Sequence, residues 1–251
     1  MSPKKIILVT GANQGIGYDT SVALASATPE NHVIVGARSQ ERGAKAVEDL
    51  RARNPAGTVS LLQLDITSDD SIKAAVENIT AEFGVLDVLV NNAGIIVMQP
   101  KDRRSELLET FNTNVASTLI LTEALIPLLQ KSKDPRIINV SSGLGSISER
   151  TTPGSSFYEV RGEAYRISKA ALNMATAHMA FDYKSWNAKV WAYCPGYVVT
   201  NLTGEGDRQN RIASGADSSE TSAQGILEIV EGKRDSEAGK FVARFGKQFN
   251  W

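Results

Sequence analysis

The chain has 251 residues, 42% apolar and 22% charged, a balance that predicts a soluble globular protein with a large core and excludes global disorder. Lys and Arg number 27 against 28 for Asp and Glu, and with a net charge of −1 and no basic stripe, nucleic acid is excluded as a main partner. Cys194 is the only cysteine and the two histidines, His32 and His178, lie far apart, so no internal disulfide, zinc cluster or cysteine–histidine dyad is expected.

The N-terminal stretch MSPKKIILVT has an apolar run too short for a signal segment. No segment reaches the roughly 18 apolar residues that a membrane span needs. The expectation is a cytoplasmic protein with no membrane partner. Short apolar runs then recur at 6–9, 33–37, 59–64, 86–90, 136–140, 189–194 and 240–243, each read as a strand. Between them the period becomes helical, as in Ile72, Ala75, Val76, Ile79 and Phe83, and again in Leu107, Phe111, Val115 and Leu119. Strands apolar on both faces that alternate with helices predict a mostly parallel sheet under helices on each side. No composition break marks a second domain, so residues 1–251 read as a single domain. Two polar, glycine-containing stretches, 143–164 and 201–219, read as loops long for such a domain.

The stretch TGANQGIG at 10–17 lies between the first strand and a helix, where a doubly wound fold holds a dinucleotide. Gly11, Asn13, Gln14, Gly15, Ile16 and Gly17 would bring backbone and a helix N-terminus up to a pyrophosphate. The spacing G-x-x-x-G-x-G departs from the commoner G-x-G-x-x-G. Farther on, YRISK at 165–169 puts Tyr165 and Lys169 on one face of a helix. By spacing alone this pair could be a surface contact.

These motifs, with LDIT at 64–67, NNAG at 91–94, Asn114 inside a helical stretch, NVSS at 139–142 and PGYVVT at 195–200, resemble the short-chain dehydrogenase/reductase family over nearly the whole chain. The stretch GARSQERGAKAVEDL is similar to carbonyl reductases within it. The resemblance implies a Rossmann-type α/β sandwich with a parallel sheet of about seven strands. It implies Tyr165 as proton donor to a carbonyl, Lys169 as the group that lowers the phenol's pKa and binds the nicotinamide ribose, Ser142 as hydrogen-bond partner of the substrate oxygen, and Asn114 as holder of a water between Lys169 and solvent. Asp65 and Ile66 would lie beside the adenine; Asn92, with Ala93 and Gly94 of NNAG, near the adenosine ribose; and Pro195, Gly196, Val198 and Thr200 near the carboxamide. The interval from Ser142 to Tyr165 is longer than in the compact members of the family.

A free phenol titrates near pH 10, and each unit of depression needs about 1.4 kcal/mol of preferential interaction with phenolate. A lysine in a water-poor cleft supplies that. The second predicted strand ends in Ala37, Arg38, Ser39 with no acid at the turn, so Arg38, helped by the Ser39 hydroxyl, is expected to receive a ribose 2′-phosphate. The expected function is reduction of a ketone or aldehyde with NADPH. An NAD-dependent alcohol oxidant and a non-catalytic dinucleotide-binding sensor remain alternatives. The extra loop 143–164 is expected to wall the substrate side of the cleft through Phe157 and Tyr158, with Glu149, Arg150, Glu159 and Arg161 on its wet face, and 201–219 to lie nearby. The helix at 163–184 often packs against a partner subunit in relatives, which leaves homo-oligomer and monomer both open.

Overall fold

Apolar runs hydrophobic on both faces become strands only where helices cover both sides, and that is the arrangement found. In a computed structural model describing residues 4–251, the order is β1 (Lys5–Thr10), α1 (Gly15–Ala27), β2 (Asn31–Ala37), α2 (Gln40–Arg51), β3 (Thr58–Gln63), α3 (Asp69–Glu82), β4 (Val88–Asn91), α4 (Arg103–Phe111), a π-helical turn (Asn112–Ala116), α5 (Ser117–Leu129), β5 (Arg136–Val140), α6 (Ile147–Thr151), α7 (Glu163–Asp182), β6 (Lys189–Cys194), α8 (Arg208–Ala213), α9 (Ser219–Val230) and β7 (Phe241–Ala243). The strands pair in parallel as one seven-stranded sheet of order β3-β2-β1-β4-β5-β6-β7. This is the doubly wound Rossmann-type sandwich that the sequence predicts. Among the described residues, no helix is long and apolar enough to cross a membrane.

Alternation along β1 divides the core. Ile7 and Val9 face one side with Leu24 of α1, Leu50 of α2 and Ile226 of α9. Ile6 and Leu8 face the other with Ile79 of α3, Leu125 of α5 and Met179 of α7. Each such side chain taken from water contributes roughly 2 kcal/mol. The strand order reverses between β1 and β4, so the carboxyl ends of these strands diverge into a cleft.

The helical face read at Leu107, Phe111, Val115 and Leu119 is not continuous. The π turn between α4 and α5 inserts a residue and rotates the register, so Val115 is buried while Phe111 is 45% exposed. The stretch 143–164 is not all loop: it holds a 3-10 turn at Gly143–Gly145 and α6. Likewise 201–219 contains α8.

A polar ladder crosses the apolar interior. Asn91 of β4 donates through Nδ2 to Thr122 Oγ1 of α5 at 2.9 Å and to Asn139 Oδ1 of β5 at 2.8 Å. Asn139 donates in turn to Thr176 Oγ1 of α7 at 2.9 Å. All four residues are buried, so the ladder fixes the register of α5 and α7 on the sheet, because any slip strands a polar group away from water. Asn139→Val is expected to lower stability by about 2 kcal/mol, read as a lower urea midpoint at unchanged m-value.

Candidate active site

The cleft at the carboxyl ends of the strands encloses about 1040 Å³. Its floor is set where β1 and β4 part. Thr10 Oγ1 accepts from the backbone N–H of Asn92 at 3.0 Å and of Ala93 at 2.9 Å, while Asn92 Nδ2 donates to Thr10 O at 2.8 Å and Gly11 O at 3.2 Å. Gly11 has φ +62°, in the left-handed region that glycine enters without strain. Gly11, Asn13, Gln14, Gly15, Ile16, Asn92, Ala93 and Gly94 all line the cleft. Gly17 does not: it is buried in α1, where a Cβ would run into Asn92 Nδ2 and the Gly11 carbonyl, so its role is close packing.

The N-terminus of α1 fits an anionic ligand. Its N-cap, Gln14, makes no side-chain capping bond, and the first turn holds no acid, so its N–H groups are left to whatever occupies the cleft. Arg38, Ser39, Asp65 and Ile66 line the far end, joined by Thr67, the last residue of LDIT, and by Arg42, which no motif singled out. Arg42 lies four residues beyond Arg38, in the first turn of α2. Ser39 is also the N-cap of α2, accepting from Arg42 N at 3.3 Å, which leaves its own O–H free to donate. Burial pushes the Asp65 carboxyl up, but the Thr67 hydroxyl and N–H, together with the Arg38 charge, outweigh this and hold it below the usual carboxylate range.

Ser142, Tyr165 and Lys169 line the same cleft beyond the ends of β5 and β6, as do Pro195, Gly196, Val198 and Thr200, the last lying against Gly15. α7 comes close because Gly145 has no side chain: a Cβ there would run into the backbone of Lys169. Ser141 Oγ donates to Asn173 Oδ1 of α7, and Asn173 Nδ2 to the Gly145 carbonyl at 3.2 Å, which closes the junction.

Tyr165 is half-buried. Burial raises its pKa, the neighbouring Cys194 thiol adds to that rise, and the Ser142 hydroxyl and the Arg211 charge oppose it. The shift is upward, not the lowering that the resemblance assigned to Lys169, because burial outweighs the opposing groups. Lys169 is only 4% exposed. Its Nζ donates to the Val140 carbonyl at 2.8 Å and lies 5.6 Å from the centre of the Tyr165 ring. Burial pulls the ammonium down to about 8, with the Cys194 sulfur opposing. Asn114 lies behind the cleft, in the π turn rather than in regular helix. Its amide is occupied: Oδ1 accepts from Ile95 N at 2.8 Å, and Nδ2 donates to Ile95 O and Ser168 Oγ, both at 3.0 Å.

Phe157 lines the cleft and Tyr158 does not. The Phe157 ring lies over Gly143, beside Ser142, and packs edge-on against Phe249 with centroids 5.7 Å apart. Buried Arg166 fixes its backbone, donating from Nη1 to Phe157 O at 2.8 Å and Val160 O at 3.0 Å. Arg161, expected on the outer face of the loop, lines the cleft instead, as does Arg211 of α8. Nothing in the polar stretch 201–219 distinguishes Arg211 until α8 forms.

A dinucleotide-sized cleft at the strand-order reversal, with a tyrosine–lysine pair on a helix beside it, defines a class of nicotinamide-dependent oxidoreductases. The family described as short chain dehydrogenase matches residues 5–211, and the chain belongs to that family. A short-chain dehydrogenase/reductase of Aspergillus fumigatus is 36% identical over 96% of this chain and 92% of its own. The 3-oxoacyl-[acyl-carrier-protein] reductase of Escherichia coli is 33% identical over 79% of this chain and 75% of its own. Among solved structures, NADPH-bound carbonyl reductase from chicken fatty liver superposes with a TM-score of 0.82 at 28% identity, covering 100% of each chain.

The burial of Lys169 has a measurable sign. Its pKa falls from 10.5 to about 8 on folding, so between those values the unfolded chain binds more protons and stability rises with pH. Below about 8 the full cost of burying the charge is present. Lys169→Met is therefore expected to be more stable than the parent by about 3 kcal/mol at pH 7, with the difference closing toward pH 10. Urea melts of the ligand-free proteins across that range check it.

Proposed function

We propose that the protein reduces a ketone or aldehyde to an alcohol with NADPH. The observation that carries this reading is the meeting of Ser142, Tyr165 and Lys169 in one cleft that runs back past the uncapped end of α1 to Arg38 and Arg42. When bound, the reduced nicotinamide supplies the hydride to the carbonyl carbon. Tyr165 gives its phenolic proton to the carbonyl oxygen, and Ser142 donates a hydrogen bond to that oxygen as charge develops on it. Lys169 would hold positive charge beside the phenol and bind ribose hydroxyls. Asn114, bonded to both Ile95 and Ser168, would position the floor behind Lys169.

Cofactor choice follows from the end of β2. Ala37, Arg38 and Ser39 put no acid where a ribose 2′-hydroxyl would need an acceptor, and the guanidinium of Arg38 is suited to a phosphate dianion. The carbonyl reductase superposed above binds NADPH, which agrees.

Tyr165→Phe is expected to lower kcat for carbonyl reduction by about a hundredfold or more while NADPH binding, followed by fluorescence titration, stays within about twofold. Retention of more than about a tenth of the rate would remove Tyr165 as the donor. Arg38→Ala is expected to lower the ratio of kcat/KM for NADPH over NADH by about tenfold or more, the loss of a charge-assisted contact to phosphate. A parent enzyme without that preference would point to NAD instead.

A further inference from the structure

The substrate end of the cleft carries two arginines that the reaction above does not use. Arg161 comes from the stretch before α7 and Arg211 from α8, so each flanking segment contributes one cation to the same cavity. Arg211 is held firmly by neutral groups. Nε and Nη2 donate to the Val198 carbonyl at 3.1 and 2.8 Å, Nη1 donates to Thr203 Oγ1 at 3.2 Å, and the guanidinium lies 5.0 Å from the centre of the Tyr197 ring. A guanidinium has five N–H donors, so two remain after these three bonds. Neither arginine forms an ion pair among the described residues. Asp207 is near enough to feel the Arg211 charge, but its carboxylate is engaged with Thr203 Oγ1 at 2.5 Å and Asn210 Nδ2 at 3.2 Å. Among the described residues lining the cleft, the one carboxylate is Asp65, beside Arg38 at the other end.

Backbone carbonyls and an aromatic face orient a guanidinium without neutralising it. In a concave, partly dry site such a group keeps its field and two uncommitted donors for an oxyanion. Arg211 and Tyr165 line the same cavity, so one small molecule within it can meet both.

We propose that the preferred carbonyl substrates carry a carboxylate set apart from the reacting carbonyl, seated on Arg211, with Arg161 adding to the attraction from the facing loop. The proposal rests on the reductase reading and names its substrate class. Phe157 and Tyr197 would cover the apolar part between the carbonyl and the carboxylate.

The test compares benzoylpropionate, an aryl keto acid, with its uncharged methyl ester on the parent enzyme, Arg211→Gln, Arg211→Lys and Arg161→Gln. Turnover with NADPH and equilibrium binding by calorimetry are both measured. The parent is expected to favour the acid over the ester in kcat/KM. Arg211→Gln should lower the acid-to-ester ratio by about tenfold or more, through KM of the acid rather than kcat, the loss expected for a hydrogen-bonded charge. Arg211→Lys should recover part of the ratio. Arg161→Gln, an exposed position that the fold does not depend on, should lower the ratio by a smaller factor, and this keeps the idea testable if Arg211→Gln does not fold. The proposal is overturned if the parent shows no preference for the acid, if the ratio is unchanged in the variants, or if KM for NADPH rises in Arg211→Gln as much as KM for the acid, which would make Arg211 a cofactor contact. If the parent reduces neither compound, the reductase reading falls, and the calorimetry decides the anion site alone: tighter binding of acid than ester, lost in Arg211→Gln, supports it, and equal binding ends it.

Discussion

The hydrogen bonds between Thr10 and the Asn92–Ala93 corner hold together the one place where the sheet cannot continue in the same sense. There the chain leaves β1 for one half of the sheet and later returns to begin the other at β4. The Thr10 hydroxyl accepts from two successive backbone N–H groups just past the end of β4, and the Asn92 amide returns two bonds to the end of β1. With these ends pinned, the first turn of α1 must pass close above them, which only glycine at position 17 permits. The uncapped end of α1 and the part of the cleft beside it take their positions from that corner.

Against this base, the cleft holds a group the fold would rather not bury. Lys169 is enclosed with one carbonyl as its hydrogen-bond partner, and no carboxylate forms an ion pair with it among the described residues. A buried ammonium without a counter-ion is an expense in stability, of the kind that persists where a function needs it. The polar ladder from Asn91 to Thr176 and the junction of Ser141 with Asn173 hold α7 against the sheet in spite of that cost. The two ends of the site thus differ in kind. At the α1 end, backbone N–H groups await a ligand; at the α7 end, a charged side chain is kept under tension.

Strand positions were legible because residues such as Ile7, Leu8 and Val9 are apolar on both faces, a pattern fixed by burial rather than by neighbours distant in sequence. The tyrosine–lysine pair and the glycine turn were legible because spacing along one element sets their geometry. What escaped the sequence depends on contacts between elements. Phe111 looked like a core residue until the π turn shifted its register, and Phe157 rather than its neighbour Tyr158 faces the cleft, its ring seated over Gly143 and against Phe249. Arg42 was legible too, four residues from Arg38 in RSQER. Arg211 was not, since its orientation comes from the Val198 carbonyl and the Tyr197 ring.

The partnership of Phe157 with Phe249 bears on how the protein is made. The corner of Thr10 with Asn92 and Ala93 needs only the first two-fifths of the chain. The ring that borders Ser142, by contrast, leans on a residue that follows β7, and Ser148 N and Ser146 Oγ bond the carbonyls of Trp251 and Asn250 in the same late segment. During vectorial synthesis, in which earlier segments gain structure first, the glycine-turn corner therefore precedes the wall beside Ser142. A chain still on the ribosome can hold that corner before the last residues arrive to brace the ring of Phe157.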